Sequence, residues 1–83
     1  MREIRRVTPQ QADEIIETLK PLGLFYVCED DGTYTAIDNS CKHAWTEDFD
    51  NITDCIDYLL GENLDNIRKR ESKRKEVLYD IAG

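Results

Sequence analysis

Two runs rich in β-branched and aromatic residues, "LFYVCE" at 24–29 and "TYTAID" at 33–38, flank Asp30-Asp31-Gly32. Nothing else in the chain limits its fold so tightly. Gly32 supplies the positive φ that a tight hairpin turn requires, so the two runs should pair as antiparallel strands. Side chains alternate across a strand. Leu24, Tyr26 and Cys28 therefore share one sheet face, and Phe25 and Val27 share the other. Both faces carry apolar groups and need cover.

The flanking segments provide it. Thr8-Pro9-Gln10-Gln11 reads as a helix start, with Thr8 as cap and Gln11 closing a capping box. Ala12, Ile15, Ile16 and Leu19 follow at helical spacing until Pro21 and Gly23, which predicts a helix over 9–20. "AWTEDF", 44–49, reads as a third strand after a polar loop. Asp50 or Asn51 can cap a helix over 51–60, with Ile52, Cys55, Ile56 and Leu59 on one stripe and Gly61 as its stop. A long basic helix is predicted over 63–81. The expected fold is α+β in one small domain: a three-stranded antiparallel meander, order α-β-β-β-α-α, with helices covering one face well and the other only partly.

Eighty-three residues allow only a thin core. They leave little room for a deep pocket with rigid catalytic support. No apolar run approaches the ~20 residues of a membrane span. "MREIRRVTPQQ" has no apolar segment behind its charges, so no secretory signal is expected, and the expected location is cytoplasmic with reduced cysteines.

Charge is unevenly distributed. Eighteen acids face eleven bases, a net of −7. Residues 7–67 hold fourteen acids and two bases, a net of −12, while Arg2, Arg5 and Arg6 and then Arg68, Lys69, Arg70, Lys73, Arg74 and Lys75 make the ends basic. An acidic surface including Glu29, Asp30, Asp31, Glu47, Asp48 and Asp50 can resemble a phosphate backbone and compete for a basic groove, with a strength that falls as salt rises. Tyr26, Tyr34 and Trp45 are candidate aromatic anchors for the same partner. The basic cluster at 68–75 is the alternative, a nucleic-acid-binding helix, ranked lower because no aromatic interleaves it and Glu71 and Glu76 dilute it.

Cys41-x-His43 raises the question of a metal or nucleophilic centre. Structural zinc sites bring ligands as close pairs, and Cys28 and Cys55 read better as small buried hydrophobes. Neither an oxyanion hole nor an orienting third group other than Asp38 is visible beside Cys41. "DNSCKH" is therefore expected to be a turn in which Asp38, Asn39 and Ser40 bond their own backbone. No catalytic residue, metal or cofactor is expected, and no enzyme activity.

"PLGLFYVCEDDGTYTAIDNSCKHAWTEDF", followed by a helix ending "CIDYLLG", resembles a group of small uncharacterised accessory proteins. These are encoded on phages and conjugative elements of Gram-positive, often gut-dwelling, bacteria. The likeness covers about residues 21–61. The group's turn often reads Asn-Ser-Thr-Gly and an acid, whereas here Cys41, Lys42 and His43 follow Ser40. The resemblance implies a mobile-DNA context and transfers no activity.

These features together lead to the expectation of a non-enzymatic protein that binds a basic, nucleic-acid-handling host protein, in the manner of anti-CRISPR inhibitors or DNA mimics. Leu64 and Ile67 begin a seam on the last helix that Leu78 and Ile81 resume. The first pair should dock on the body and the second on another molecule, a second copy being the simplest candidate.

Overall fold

The computed structural model describes residues 3–82, with side chains described up to residue 74. The elements run β1 (Ile4–Arg6), α1 (Pro9–Thr18), β2 (Gly23–Cys28), β3 (Tyr34–Asn39), β4 (Trp45–Phe49), α2 (Ile52–Leu59) and α3 (Leu64–Ala82). The strands form one four-stranded sheet in the order β1-β2-β3-β4. The α+β class is as expected, but the sheet is not the three-stranded antiparallel meander. β1 adds a fourth strand, parallel to β2, and the order becomes β-α-β-β-β-α-α.

Parallel neighbours need a crossover, and α1 is that crossover. Its start is the expected capping box. The Gln11 amide donates to Thr8 Oγ1 at 3.1 Å and the Thr8 amide donates to Gln11 Oε1 at 2.9 Å. The helix stops earlier than expected because Leu19 turns left-handed, its N–H returning to the Ile15 carbonyl at 2.7 Å.

The β2–β3 hairpin forms as read. The Glu29 amide donates to the Thr33 carbonyl at 2.9 Å, and Gly32 has φ 88°. Asn51 caps α2, accepting the Asp54 amide at 2.9 Å. Gly61, φ 104°, ends α2 in a Schellman turn: its amide meets the Tyr58 carbonyl, and the Glu62 amide meets that of Asp57.

The helices divide between the two sheet faces, with α2 and α3 on one and the short α1 alone on the other. Leu24, Ala36 and Phe49 pack with Cys55 and Leu59 of α2 and Ile67 of α3, with Tyr26 and Tyr34 at the margin. On the opposite face Phe25, Val27 and Ile37 pack under Ala12 and Ile15 of α1. The double-sided pattern of β2 thus produces a three-layer arrangement. Leu64 and Ile67 dock α3 on the body, as expected. Val77, Leu78 and Ile81 lie outside the residues whose side chains are described, and Arg2 lies outside the described chain. Among the described residues, no helix is long and apolar enough to cross a membrane.

Candidate functional site

The hairpin turn gathers carboxylates. Asp31 Oδ1 accepts from the Thr33 amide at 3.0 Å and from its hydroxyl at 2.7 Å, which locks the loop. The Thr33 hydroxyl first, and then its amide, hold the Asp31 carboxyl below the ordinary aspartate range. Thr35 on β3 lies beside Asp48 on β4, because the register pairs those two positions. Its Oγ1 is 2.8 Å from Asp48 Oδ1 and 3.1 Å from Glu29 Oε1. Its single proton can serve only one of them at a time. Glu29, Asp30, Asp31 and Asp48, with Thr33 and Thr35, line an open concavity of about 410 Å³. Among the described residues, no ion pair neutralises any of these four acids.

The other expected acids are placed differently. Asp50 is exposed at the β4–α2 junction, outside the concavity. Glu47 lies on the α2/α3 face and is paired with Arg68 of α3 at 3.2 Å. Arg68 also binds Glu71 at 3.0 Å and sits over the Phe49 ring, 4.7 Å from its centroid. Burial pulls the pKa of Arg68 down, but Glu71 and Glu47 outweigh it and leave it above the ordinary arginine value.

A second cluster was not anticipated from the sequence. Asp54 is only 2% exposed, although it stands in the first turn of α2. Its carboxylate accepts from Arg70 at 3.0 Å, from Arg74, and from Asn51 Nδ2 at 3.1 Å. Arg70 also reaches Asp57 at 3.1 Å. The hydrogen bond to Asp54 holds the Arg74 guanidinium above its usual pKa. Three of the six cations in the candidate nucleic-acid cluster are therefore engaged by this chain's own acids. Lys69 and Lys73 are exposed, and the Lys75 side chain lies outside those described. The Arg68–Glu71 spacing was visible as an i,i+3 pair. The Asp54 pairs, sixteen and twenty residues apart, carried no local signal.

The aromatic candidates do not form one patch. Tyr26 and Tyr34 are half-buried against the α2/α3-side core. Trp45 is 63% exposed at the far end of β4, four residues from the Phe49 position that Tyr34 pairs with, about 13 Å along the strand. Its nearest aromatic is His43, with ring centroids 6.0 Å apart.

The Cys41–His43 loop is a turn held by Asp38, whose Oδ1 accepts from the Ser40 amide at 3.0 Å and from its hydroxyl at 2.6 Å. Asn39 departs from the expectation. It belongs to β3, is fully buried, and donates from Nδ2 to the Pro21 carbonyl at 2.9 Å rather than to its own turn. The three cysteines do not meet. Cys28 is half-buried at the hairpin end, Cys41 is exposed in the loop at the opposite sheet end, and Cys55 is buried under the sheet. No protein-family model, no curated protein and no solved structure matches this chain.

Proposed function

We propose that this chain is a non-enzymatic acidic interaction protein, of the kind carried by mobile elements, that binds and inhibits a basic nucleic-acid-handling protein. The observation that carries this reading is the uneven neutralisation of its acids. Arginines of α3 cover Glu47, Asp54, Asp57 and Glu71 on one side of the body. Glu29, Asp30, Asp31 and Asp48 converge at the hairpin end with no ion pair among the described residues. Anchored carboxylates at fixed spacing are what a basic groove recognises in place of phosphates. The bonds to Thr33 and Thr35 reduce the cost of ordering two of them, Asp31 and Asp48, on binding.

The competing reading, nucleic-acid binding by α3, is weakened because Arg68, Arg70 and Arg74 would first have to leave their carboxylates. The test is capture from host lysate with immobilised full-length chain, with and without nuclease, at low and high salt. The expected result is a basic protein retained after nuclease and released by salt, and lost when Asp30, Asp31 and Asp48 are changed to lysine. Recovery of nucleic acid with no protein partner would refute the proposal.

A further inference from the structure

The outer edge of the sheet at β1 bears a second kind of surface. β1 is an edge strand, and among the described residues no other strand pairs with its outer side. The parallel register, together with the Val7 amide donating to the Tyr26 carbonyl at 2.9 Å, sets which backbone groups face where. Arg5 and Val7 direct their amides toward β2. Ile4 and Arg6 therefore direct their N–H and C=O groups away from the sheet, an open template for another strand.

Beside this edge, α1 leaves an open trough of about 960 Å³ between itself and β1. Val7, Ile15 and Phe25 contribute apolar surface to it, and Arg5, Arg6 and Lys20 contribute charge. Four bases occur in residues 3–63, and three of them line this one trough. Glu14 is the one acid among its lining residues. In a chain of net −7, that concentration of positive charge sits where the backbone is unpaired.

We infer that β1 receives an extended acidic peptide segment of a partner protein as a fifth strand. Backbone bonds would run to Ile4 and Arg6, carboxylates would meet Arg5, Arg6 and Lys20, and an apolar side chain would enter the trough. Strand addition of this kind takes affinity from the main chain and specificity from alternate side chains. A second copy of this chain is a poor occupant. Pairing two β1 strands would bring the arginines of both copies together, and like charges across a strand pair destabilise it. Arg5 is held by Glu3 at 3.1 Å, but both side chains are largely exposed, so an incoming carboxylate can replace Glu3 at little cost. This surface is distinct from the acidic hairpin end and does not depend on the function proposed for it.

The test uses the full chain, labelled with nitrogen-15, and a short capped peptide with a valine-glutamate-glutamate-valine core. The expected result is amide shifts along 4–7 and slowed exchange at the Ile4 and Arg6 amides, with no response to a peptide carrying lysine in place of glutamate. Arg5→Glu should weaken binding about tenfold. Arg6→Gln and Arg6→Pro both remove a charge, but only the proline removes the outward N–H, so Arg6→Pro should bind about tenfold more weakly than Arg6→Gln. The same peptide N-methylated on its backbone, offered to the unmodified chain, should not bind. Shifts confined to other residues, equal binding of the N-methylated peptide, or no response at millimolar peptide would each overturn the inference. So would protection of Ile4 and Arg6 without peptide, through self-pairing of the chain.

Discussion

Cys28, Cys41 and Cys55 share a chemistry and differ in environment, so they report on the residue scale most directly. Cys55 is fully buried, and burial pushes its thiol up to about 11 from an ordinary 9.0. The folded state thus keeps a proton that the unfolded chain releases earlier. Stability linked to Cys55 is complete below about pH 9 and is lost as pH climbs through about 11. Urea midpoints measured from pH 8 upward should show this alkaline slope, and Cys55→Ala should flatten it relative to the parent. Alkylation followed by mass spectrometry should modify Cys41 first, Cys28 more slowly and Cys55 only on unfolding. Labelling of Cys55 as fast as Cys41 in the folded chain would contradict this packing. Cys55 as a core residue was readable from its place on an apolar stripe. Asn39 was not readable, because a polar residue beside Asp38 and Ser40 looks the same in sequence whether it turns the chain or is buried.

The contact between α2 and α3 combines two kinds of interaction. Ile67 is fully buried, and Leu64 packs beside it. Ile67→Ala should cost about 2–5 kcal/mol. Arg70 and Arg74 are half-exposed partners of a buried carboxylate, so their effect is asymmetric. Removing both as Arg70→Ala and Arg74→Ala strands the buried Asp54 charge, with Asn51 Nδ2 as its remaining side-chain partner among the described residues, and should lower the denaturation midpoint. Adding Asp54→Asn to that double variant should recover part of the loss, because the uncompensated charge is then gone. Chemical denaturation of the three variants checks both signs, and a double variant within ~0.5 kcal/mol of the parent would show that the network contributes little. The fourth strand belongs to this scale too. Ile4-Arg5-Arg6 is short and has a single apolar side chain, so no periodic signal marks it. It becomes a strand because α1 returns the chain beside β2 and offers it an unpaired backbone edge.

At the scale of the whole molecule, charge is sorted into three regions. α3 neutralises one flank, the hairpin end stays acidic, and the β1 edge is basic. Salt should therefore weaken capture of a basic partner steeply, whereas the docking of α3, resting partly on Ile67, should survive. Self-association through α3 is a separate proposal. The helix continues to Ala82, and Val77, Leu78 and Ile81 share its final segment. Truncation after Glu76 should leave the body folded, by circular dichroism, and should convert a dimer to a monomer in light scattering. A full-length chain that is already monomeric at high micromolar concentration would sink the dimer.

Local physical chemistry determined much of this protein from sequence alone. The capping box at Thr8, the hairpin turn at Gly32, the stop at Gly61 and the two-sided apolar pattern of β2 each depend on neighbours within a few residues. Element types and the excess of acid were legible for that reason. The tertiary structure decided the rest, because it depends on groups far apart in the chain. It determined that β1 joins the sheet in parallel and that helices cover both faces. It buried Asp54 and spent three arginines of α3 on this chain's own carboxylates. A sequence counts charges, but only the packing of α3 against α2 and β4 decides which of them remain free for a partner.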